Sequence, residues 1–286
     1  MIMTFPRNII GLLLFALPVS ALGLDCSSVY IDLSSQDDVD NFQATYGGGG
    51  VCDKVIFDLT IGGGDITNLD GLIDLTSIGQ NLTSNHNHSL ENVQGLANLE
   101  TVDGTVYIGF NPVLSNLTGL ESLHTVGGYL SISDNNTLVD ISALSGLTSF
   151  AGSLTIEGNA SLPNIDGLEG LTSVVDLRIG TNATLLDIDG LSNLAAVGGY
   201  AWIDNNSTLS NLNGLASLAS VGKDLTINSN AALAHIDGLS NLSNTSLGVH
   251  VTRNNALTNV DGLSGLTHVS RDLRVQINPQ VTSTWG

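Results

Sequence analysis

The sequence predicts an all-β solenoid of about nine coils, from one long repeat, its short alternating segments and a column of asparagines. Apolar residues recur every 24 residues, with a single step of 23, at the first position of the motif: Leu69, Val93, Leu117, Ile141, Ile165, Ile188, Leu212, Ile236 and Val260. A fixed period of this length is typical of solenoids, in which each unit buries its apolar residues only against its neighbours.

Each repeat contains a short alternating run, such as Leu130 to Ile132 or Leu225 to Ile227. An apolar-polar-apolar run predicts a short strand with one buried face. Because the period is held so closely, equivalent residues should stack in register, with neighbouring strands about 4.8 Å apart. A Gly pair often precedes the run, as at Gly127-Gly128 and Gly198-Gly199, and such a pair suits a corner. The 23-residue repeat lacks that pair at Val174 to Leu177, so its corner should be one residue shorter.

An asparagine follows the alternating run in every repeat. We expect its side chain to turn inward, because a buried amide can satisfy backbone N–H and C=O groups at a bend. The column contains Asn87, Asn111, Asn135, Asn159, Asn182, Asn206, Asn230, Asn254 and Asn278.

The segment LSISDNNTL, from Leu130 to Leu138, resembles the L-x-L-x-x-N core of leucine-rich repeats. It departs from that core by an extra residue between Asn135 and Leu138, and by a longer approach to the strand. With both departures, the repeat resembles that of the receptor L domains of growth-factor receptors and of fungal sporulation-type cell-wall proteins. The resemblance covers roughly residues 26 to 281. It implies a leucine-rich-repeat-like solenoid and a non-enzymatic recognition or cell-envelope role.

The first 23 residues have the pattern of a signal peptide. Arg7 supplies a positive charge, Ile9 to Val19 form a short apolar core, and small residues follow at a cleavage site. The remaining chain is predicted as an N-terminal cap and entry strand at 24–68, the repeat solenoid at 69–281 and a C-terminal tail at 282–286. Trp285 in that tail is expected to cover the last coil. The mature protein should be secreted or lie at the cell surface.

Cys26 and Cys52 are the two cysteines of the chain. In an exported protein such a pair is expected to form a disulfide, and the cap of receptor L domains is similarly bounded by cysteines. The alternative, a redox or metal pair, lacks C-x-x-C spacing. Between the cysteines, Val29 to Ile31 is predicted as a strand, and Gln36 to Thr45 has a helix-compatible composition.

The formal net charge of −20 argues against nucleic acid and anionic membranes as partners, since both require cationic surface. After the signal peptide no apolar run approaches the length of a membrane span, so no membrane insertion is expected. One row of the motif carries Asp70, Asp166, Asp189, Asp237 and Asp261. We interpret these aspartates as turn residues that bond to backbone two residues on, with weak Ca²⁺ association at stacked pairs as the alternative.

Aromatic side chains on the outward face of the strands are the candidate ligand-binding residues, for a glycan or an extracellular protein. The four singled out are Tyr107, Tyr129, Tyr200 and Trp202. The outward row of Tyr107 and Trp202 also contains Arg178, His250 and Arg274. The alternative is that aromatic residues are simply favourable in strands.

No catalytic motif or metal-ligand set is present, so the protein is predicted not to be an enzyme and to carry no cofactor. The alternative functions are a structural wall or matrix component and, with less support, an ice-binding protein or a polysaccharide-active enzyme. Five sequons outside the asparagine column are the predicted glycosylation sites: Asn81, Asn116, Asn205, Asn241 and Asn244.

Overall fold

The computed structural model describes residues 24–26 and 30–282. The predicted signal peptide, residue 29 of the predicted cap strand, and Trp285 lie outside this part of the chain. Within it the fold consists mainly of short parallel strands arranged in three sheets, with few helices. The prediction of a parallel, solenoid-like all-β architecture is confirmed at this level.

The largest sheet has 11 strands in the described chain and runs without a break. Its strands alternate along the chain with those of the two smaller sheets, and all its pairs are parallel and in register. Numbered in chain order, its strands are β2 (Ile31–Leu33), β4 (Leu59–Ile61), β6 (Leu82–Asn85), β8 (Val106–Gly109), β10 (Leu130–Ser133), β12 (Leu154–Glu157), β14 (Leu177–Gly180), β16 (Ala201–Asp204), β18 (Leu225–Asn228), β20 (Val249–Thr252) and β22 (Leu273–Gln276).

Two smaller parallel sheets, with six and five strands, form a second wall. The first contains β1 (Leu24–Cys26), β3 (Cys52–Val55), β5 (Ser77–Ile78), β7 (Thr101–Val102), β9 (Thr125–Val126) and β11 (Ser149–Phe150). The second contains β13 (Ser173–Val174), β15 (Ala196–Val197), β17 (Ser220–Val221), β19 (Asn244–Thr245) and β21 (His268–Val269). The division between them falls at the 23-residue repeat. Neither sheet was predicted, because most of their strands have two residues and carry no periodic signal.

The turn that follows the first apolar position of most repeats is a 3₁₀ helix. These turns span Asp70–Leu72, Gln94–Leu96, Ser142–Gly146, Asp189–Leu191, Asn213–Leu215, Asp237–Leu239 and Asp261–Leu263. A Cβ atom on Gly214 or Gly238 would overlap the carbonyl oxygen of the residue that begins the preceding repeat. Neighbouring coils therefore approach too closely for a side chain at Gly214 and Gly238. Ala143 replaces the glycine in one repeat, and its turn is the longest of the set.

The N-terminal region contains helices α1 (Gln36–Asp40) and α2 (Phe42–Tyr46). Ser35 caps α1 by accepting a hydrogen bond from the Asp38 N–H, and Phe42 of α2 is fully buried. The helix-compatible segment was therefore interpreted correctly. Cys26 of β1 and Cys52 of β3 are joined in a disulfide between paired strands.

The predicted strand from Val29 to Ile31 was wrong in its bounds. Tyr30 is exposed and precedes the strand, which begins at Ile31. Ile31 and Leu33 are the pair that points inward, and they align with Leu59 and Ile61 of β4. The apolar alternation of the segment extends in both directions, so its period did not define where pairing starts.

The asparagine column forms a continuous buried ladder. The backbone N–H of Asn182 donates to Oδ1 of Asn206 over 3.1 Å, and Nδ2 of Asn206 donates to the carbonyl of Ile179 over 3.0 Å. The same two bonds recur from coil to coil, so each amide satisfies backbone groups of the coil before it. The side chains from Asn87 to Asn254 are fully buried, and Asn278 is half-buried.

The corner just before the ladder has a left-handed backbone. Eight residues other than glycine have φ between 54° and 58° there. L-residues rarely adopt this conformation, and bulky or β-branched ones least of all. The eight are His86, Phe110, Asp134, Thr181, Asn205, Ser229, Arg253 and Ile277.

Candidate ligand-binding groove

The outward side of the 11-stranded sheet, here called the strand face, carries the candidate site. From β4 to β20, the second residue of each strand of this sheet is half-buried between two inward residues. Parallel pairing in register aligns these second residues in one line, here called the middle row. From β8 to β22 it contains Tyr107, Ser131, Thr155, Arg178, Trp202, Thr226, His250 and Arg274.

The structure separates the four predicted aromatic residues into two groups. Tyr107 on β8 and Trp202 on β16 lie in the same row but four strands apart, a distance of about 19 Å at the usual strand spacing. Tyr129 precedes β10 and is 59% exposed. Burial raises the pKa of the Tyr107 hydroxyl, and the negative charge of Asp134 raises it further. These four residues therefore do not form a single site.

Tyr200 and Trp202 form a stacked aromatic pair, here called the platform. They are two residues apart on one side of β16, their ring centroids are 4.7 Å apart, and their planes differ by 18°. The Nζ atom of Lys223, from the next coil, lies 4.5 Å from the Tyr200 centroid. This cation–π contact and the ring stacking hold the platform in a defined orientation on the rigid sheet.

A groove of about 450 Å³ opens beside the platform. Trp202 stands on one side and His250 on the other, two strands away. The strand between them presents Thr226, whose short side chain leaves the depression. The residues that line it are Arg178, Trp202, Asp204, Thr226, Asn228, His250, Thr252, Arg253, Arg274 and Gln276.

Carboxylates hold two of the groove's arginines in place. Arg178 makes a bidentate pair with Glu157, at 2.7 and 2.8 Å, and its NH1 lies 3.5 Å from Asp204. The hydrogen bond from Arg178 lowers the pKa of Glu157, and the same bond raises the pKa of Arg178. At the other end, Asp272 contacts Arg274 and also lies 3.3 Å from Nε2 of His250. Both guanidinium groups are thus oriented before any ligand arrives.

Sequence reasoning identified Trp202, Arg178, His250 and Arg274 as one row but did not find the groove. Its depth depends on a short threonine between two ring-bearing side chains, which only the strand register reveals. Arg253 was also missed, because it lies at the left-handed corner outside the alternating run. The corner recurs once per coil, just after the strand, and this regularity in the sequence would have placed Arg253 beside the end of β20.

A smaller groove of about 310 Å³ lies at the same corner in an earlier part of the chain. His86 and Phe110 stack there with centroids 5.1 Å apart and planes 13° apart, and Phe110 is 45% exposed. His88 also lines this groove and forms an H-x-H sequence with His86, a spacing that can ligate a metal. Among the described residues no group of three or more His, Cys, Asp or Glu side chains is placed to hold a metal ion.

The interpretation of the aspartate row as the source of the turn bonds was wrong. The side chain two residues earlier accepts the bond: Asn164 from the N–H of Asp166, Asp187 from that of Asp189, and Asn259 from that of Asp261. The row aspartates are the donors of these bonds through their backbone. The turn bonds are of the expected type, but the side chain that accepts each of them lies two residues before the aspartate row.

The five predicted glycosylation sites differ in accessibility. Asn205 and Asn241 are exposed, and Asn241 donates to the carbonyl of Ala216 over 2.5 Å. The other three are half-buried: Asn81, Asn116 and Asn244.

None of the helices in the described part of the chain is long and apolar enough to cross a membrane. No protein-family model matches the chain, and no curated protein matches it.

Proposed function

We propose that the protein is a non-enzymatic recognition protein that binds a glycan on its strand face, in the groove beside the platform. The observation that carries the proposal is the stacked pair of Tyr200 and Trp202 at the wall of a groove lined by anchored polar side chains. Aromatic faces contact the apolar faces of sugar rings, and oriented guanidinium and amide groups bond to ring substituents.

The acidic groups around the groove support a binding role over hydrolysis. Glycoside hydrolysis requires one carboxyl group that remains protonated near neutral pH, so that it can act as the general acid. Glu157 has a lowered pKa because Arg178 donates to it, and Asp272 is engaged by Arg274. The pair with Arg178 favours the ionised form of Glu157, which orients the arginine and does not supply the protonated carboxyl that a general acid requires.

The finer architecture forms part of the proposal. The 24-residue repeats are interpreted as nine stacked coils of the leucine-rich-repeat type, from Leu69 onward. The segment before them acts as an N-terminal cap. A buried phenylalanine in α2 and the disulfide between β1 and β3 support a cap that closes the core. Export through the predicted signal peptide, with glycans at the exposed Asn205 and Asn241, fits a disulfide-bonded extracellular protein.

An ice-binding protein needs a flat, repetitive threonine face. The row of Thr137, Ser161, Thr184 and Thr208 is the feature of this sequence that resembles one, but it gives the ice-binding alternative little support. The hydroxyl of Thr137 donates to the carbonyl of Leu114 over 3.0 Å, and that of Thr208 donates to the carbonyl of Leu185 over 2.9 Å. Thr184 makes an equivalent bond. These hydroxyls stabilise neighbouring coils, so the regular spacing of the row has a structural cause.

The proposal is tested by measuring binding of the mature protein to a glycan array, followed by titration calorimetry on any hit. Trp202→Ala should weaken binding about tenfold or more, since truncating an anchoring aromatic costs about 2 kcal/mol and about 1.4 kcal/mol already corresponds to tenfold. Tyr129→Ala is the matched control, because it removes an exposed aromatic of the same face outside the groove.

Equal losses in the two variants would contradict the location of the site. A blank array for the wild-type protein, with and without Ca²⁺, would contradict glycan recognition itself.

A further inference from the structure

The basic residues of this acidic protein are concentrated in one place. The chain has seven Lys and Arg residues against 27 Asp and Glu residues. Three of the seven line the groove, whereas Asp204 is the one acidic residue among the lining side chains of the described structure. Such an inversion of the overall charge at one groove favours a ligand of negative charge.

Two of the three arginines are already compensated. Glu157 and Asp204 pair with Arg178, and Asp272 pairs with Arg274. Arg253 differs from them, since no carboxylate in the described chain lies within ion-pairing distance of its guanidinium. Its side chain is exposed at the end of β20 and lines the groove. It is therefore the positive charge left free for a ligand.

The backbone at Arg253 determines where its side chain starts. Its φ is 57°, the left-handed conformation of the corner that recurs in the other coils. This corner directly follows the end of β20, so the side chain leaves the backbone beside the groove, which it lines.

We propose that the groove selects acidic saccharides, and that Arg253 determines this specificity by pairing with a carboxylate or sulfate of the sugar. The inference rests on the proposed glycan-binding function and adds the ligand class. The acidic substituent binds at Arg253, and the sugar chain extends along the middle row towards Trp202. From Arg178 to Arg274 that row covers four strand spacings, about 19 Å, which is enough for several sugar units.

The test compares acidic oligosaccharides with neutral forms of the same chain. The probes are an oligogalacturonate with its methyl ester, and a chondroitin sulfate oligosaccharide with its desulfated, carboxyl-reduced form. At least one acidic member should bind about tenfold or more tightly than its neutral partner, since a charge-assisted bidentate pair contributes on that scale. Raising the salt concentration should reduce the difference.

Three variants assign the effect to Arg253. Arg253→Gln should abolish the preference for the acidic form, and Arg253→Lys should retain part of it, since the charge remains but the bidentate geometry is lost. Arg271→Gln is the matched control, because it makes the same charge change at an exposed residue outside the groove. It should leave the preference unchanged.

The outcomes separate this inference from the function on which it rests. Equal affinity for acidic and neutral forms, with both lost in Trp202→Ala, would overturn the acidic class and leave glycan binding intact. A preference that survives Arg253→Gln, or that falls equally in Arg271→Gln, would overturn the role of Arg253. The absence of binding to every probe and to the array would overturn both proposals.

Discussion

At the scale of single residues, the buried asparagines make hydrogen bonds to the backbone that no apolar side chain could make. The side chain of Asn206 accepts from the N–H of Asn182 and donates to the carbonyl of Ile179, and both partners are sealed from water. Removing the amide leaves the buried N–H of Asn182 without an acceptor and takes one donor from the buried carbonyl of Ile179. It also removes the acceptor of the buried Nδ2 of Asn182, and a buried polar group left unsatisfied costs about 1–3 kcal/mol.

Asn206→Ala should therefore lower the free energy of unfolding by about 3 kcal/mol or more, measured by urea denaturation. Asn193→Ala is the control, because its side chain also donates to a carbonyl one coil back, that of Glu169, but at the exposed surface. Water replaces that bond, so the cost should stay below about 1 kcal/mol. Similar losses in the two variants would refute the importance of burial at the ladder.

Thr245 is an exception to the apolar column that faces the core from the smaller sheets. Its neighbours in the column are Val221 and Val269, yet its hydroxyl is fully buried and has no hydrogen-bond partner. Thr245→Val keeps the shape and removes the unpaired group, so it should raise the free energy of unfolding by about 1 kcal/mol.

Thr101→Val makes the same change at a half-buried strand position where water reaches the side chain, and it should change stability by less than about 0.5 kcal/mol. A destabilised Thr245→Val variant would mean that the hydroxyl has a partner, such as an ordered water.

At the scale of elements, the turns that follow the first apolar position of each repeat bring acidic residues of successive coils together. Burial raises the pKa of Asp166, and the charges of Asp187, Glu169, Asp189 and Asp140 raise it further. A carboxyl whose pKa is raised in the folded state stabilises the fold below the unfolded pKa. That contribution is lost as the pH rises through the folded pKa.

Asp166→Asn should consequently increase the melting temperature at pH 7 and have no effect at pH 3, where the native carboxyl is protonated in both states. Asp103→Asn provides the comparison, because the equivalent residues of the neighbouring coils are Gly79 and Gly127 and bring no charge near it. A gain for Asp166→Asn that is independent of pH would contradict the electrostatic explanation.

The strands show how much of the fold the pattern of apolar residues could predict. The alternating runs predicted the strands of the large sheet, because one buried face every second residue is a strong signal in Leu130 to Ile132 and its equivalents. The two-residue strands such as Thr125–Val126 went unseen, since two residues contain no period. Tyr200 and Trp202 were predicted as outward aromatic residues from their types and positions. Their stacking and the groove, in which Thr226 lies between Trp202 and His250, required the structure.

At the scale of the whole molecule, the excess of negative charge opposes folding. The net charge of −20 is distributed over a solenoid in which few basic residues are available to compensate it. The compact state brings these charges closer together than the unfolded chain does, so their repulsion destabilises the fold. Dissolved salt screens this repulsion, with a screening length that falls to about 3 Å at 1 M.

The melting temperature should therefore rise by several degrees between 20 mM and 500 mM NaCl, measured by circular dichroism, and level off once screening is complete. The levelling distinguishes screening from salting-out, which continues to grow with concentration. A melting temperature that falls with salt would show that the ion pairs of Arg178 and Arg274 outweigh the general repulsion.

The ladder gives the molecule a direction that its sheets lack. Each asparagine serves the coil before it, so a coil depends on its successor for its corner bonds but not on its predecessor. Under mechanical tension, detachment of the last coil removes the asparagine side chain that bonds to the coil before it. That coil is then less stable and detaches next. Every step frees about 24 residues, or roughly 80 Å of extended chain. A protein of this construction should lengthen in nearly equal increments as its coils detach one after another from the C-terminal end. Detachment from the N-terminal end should require more force.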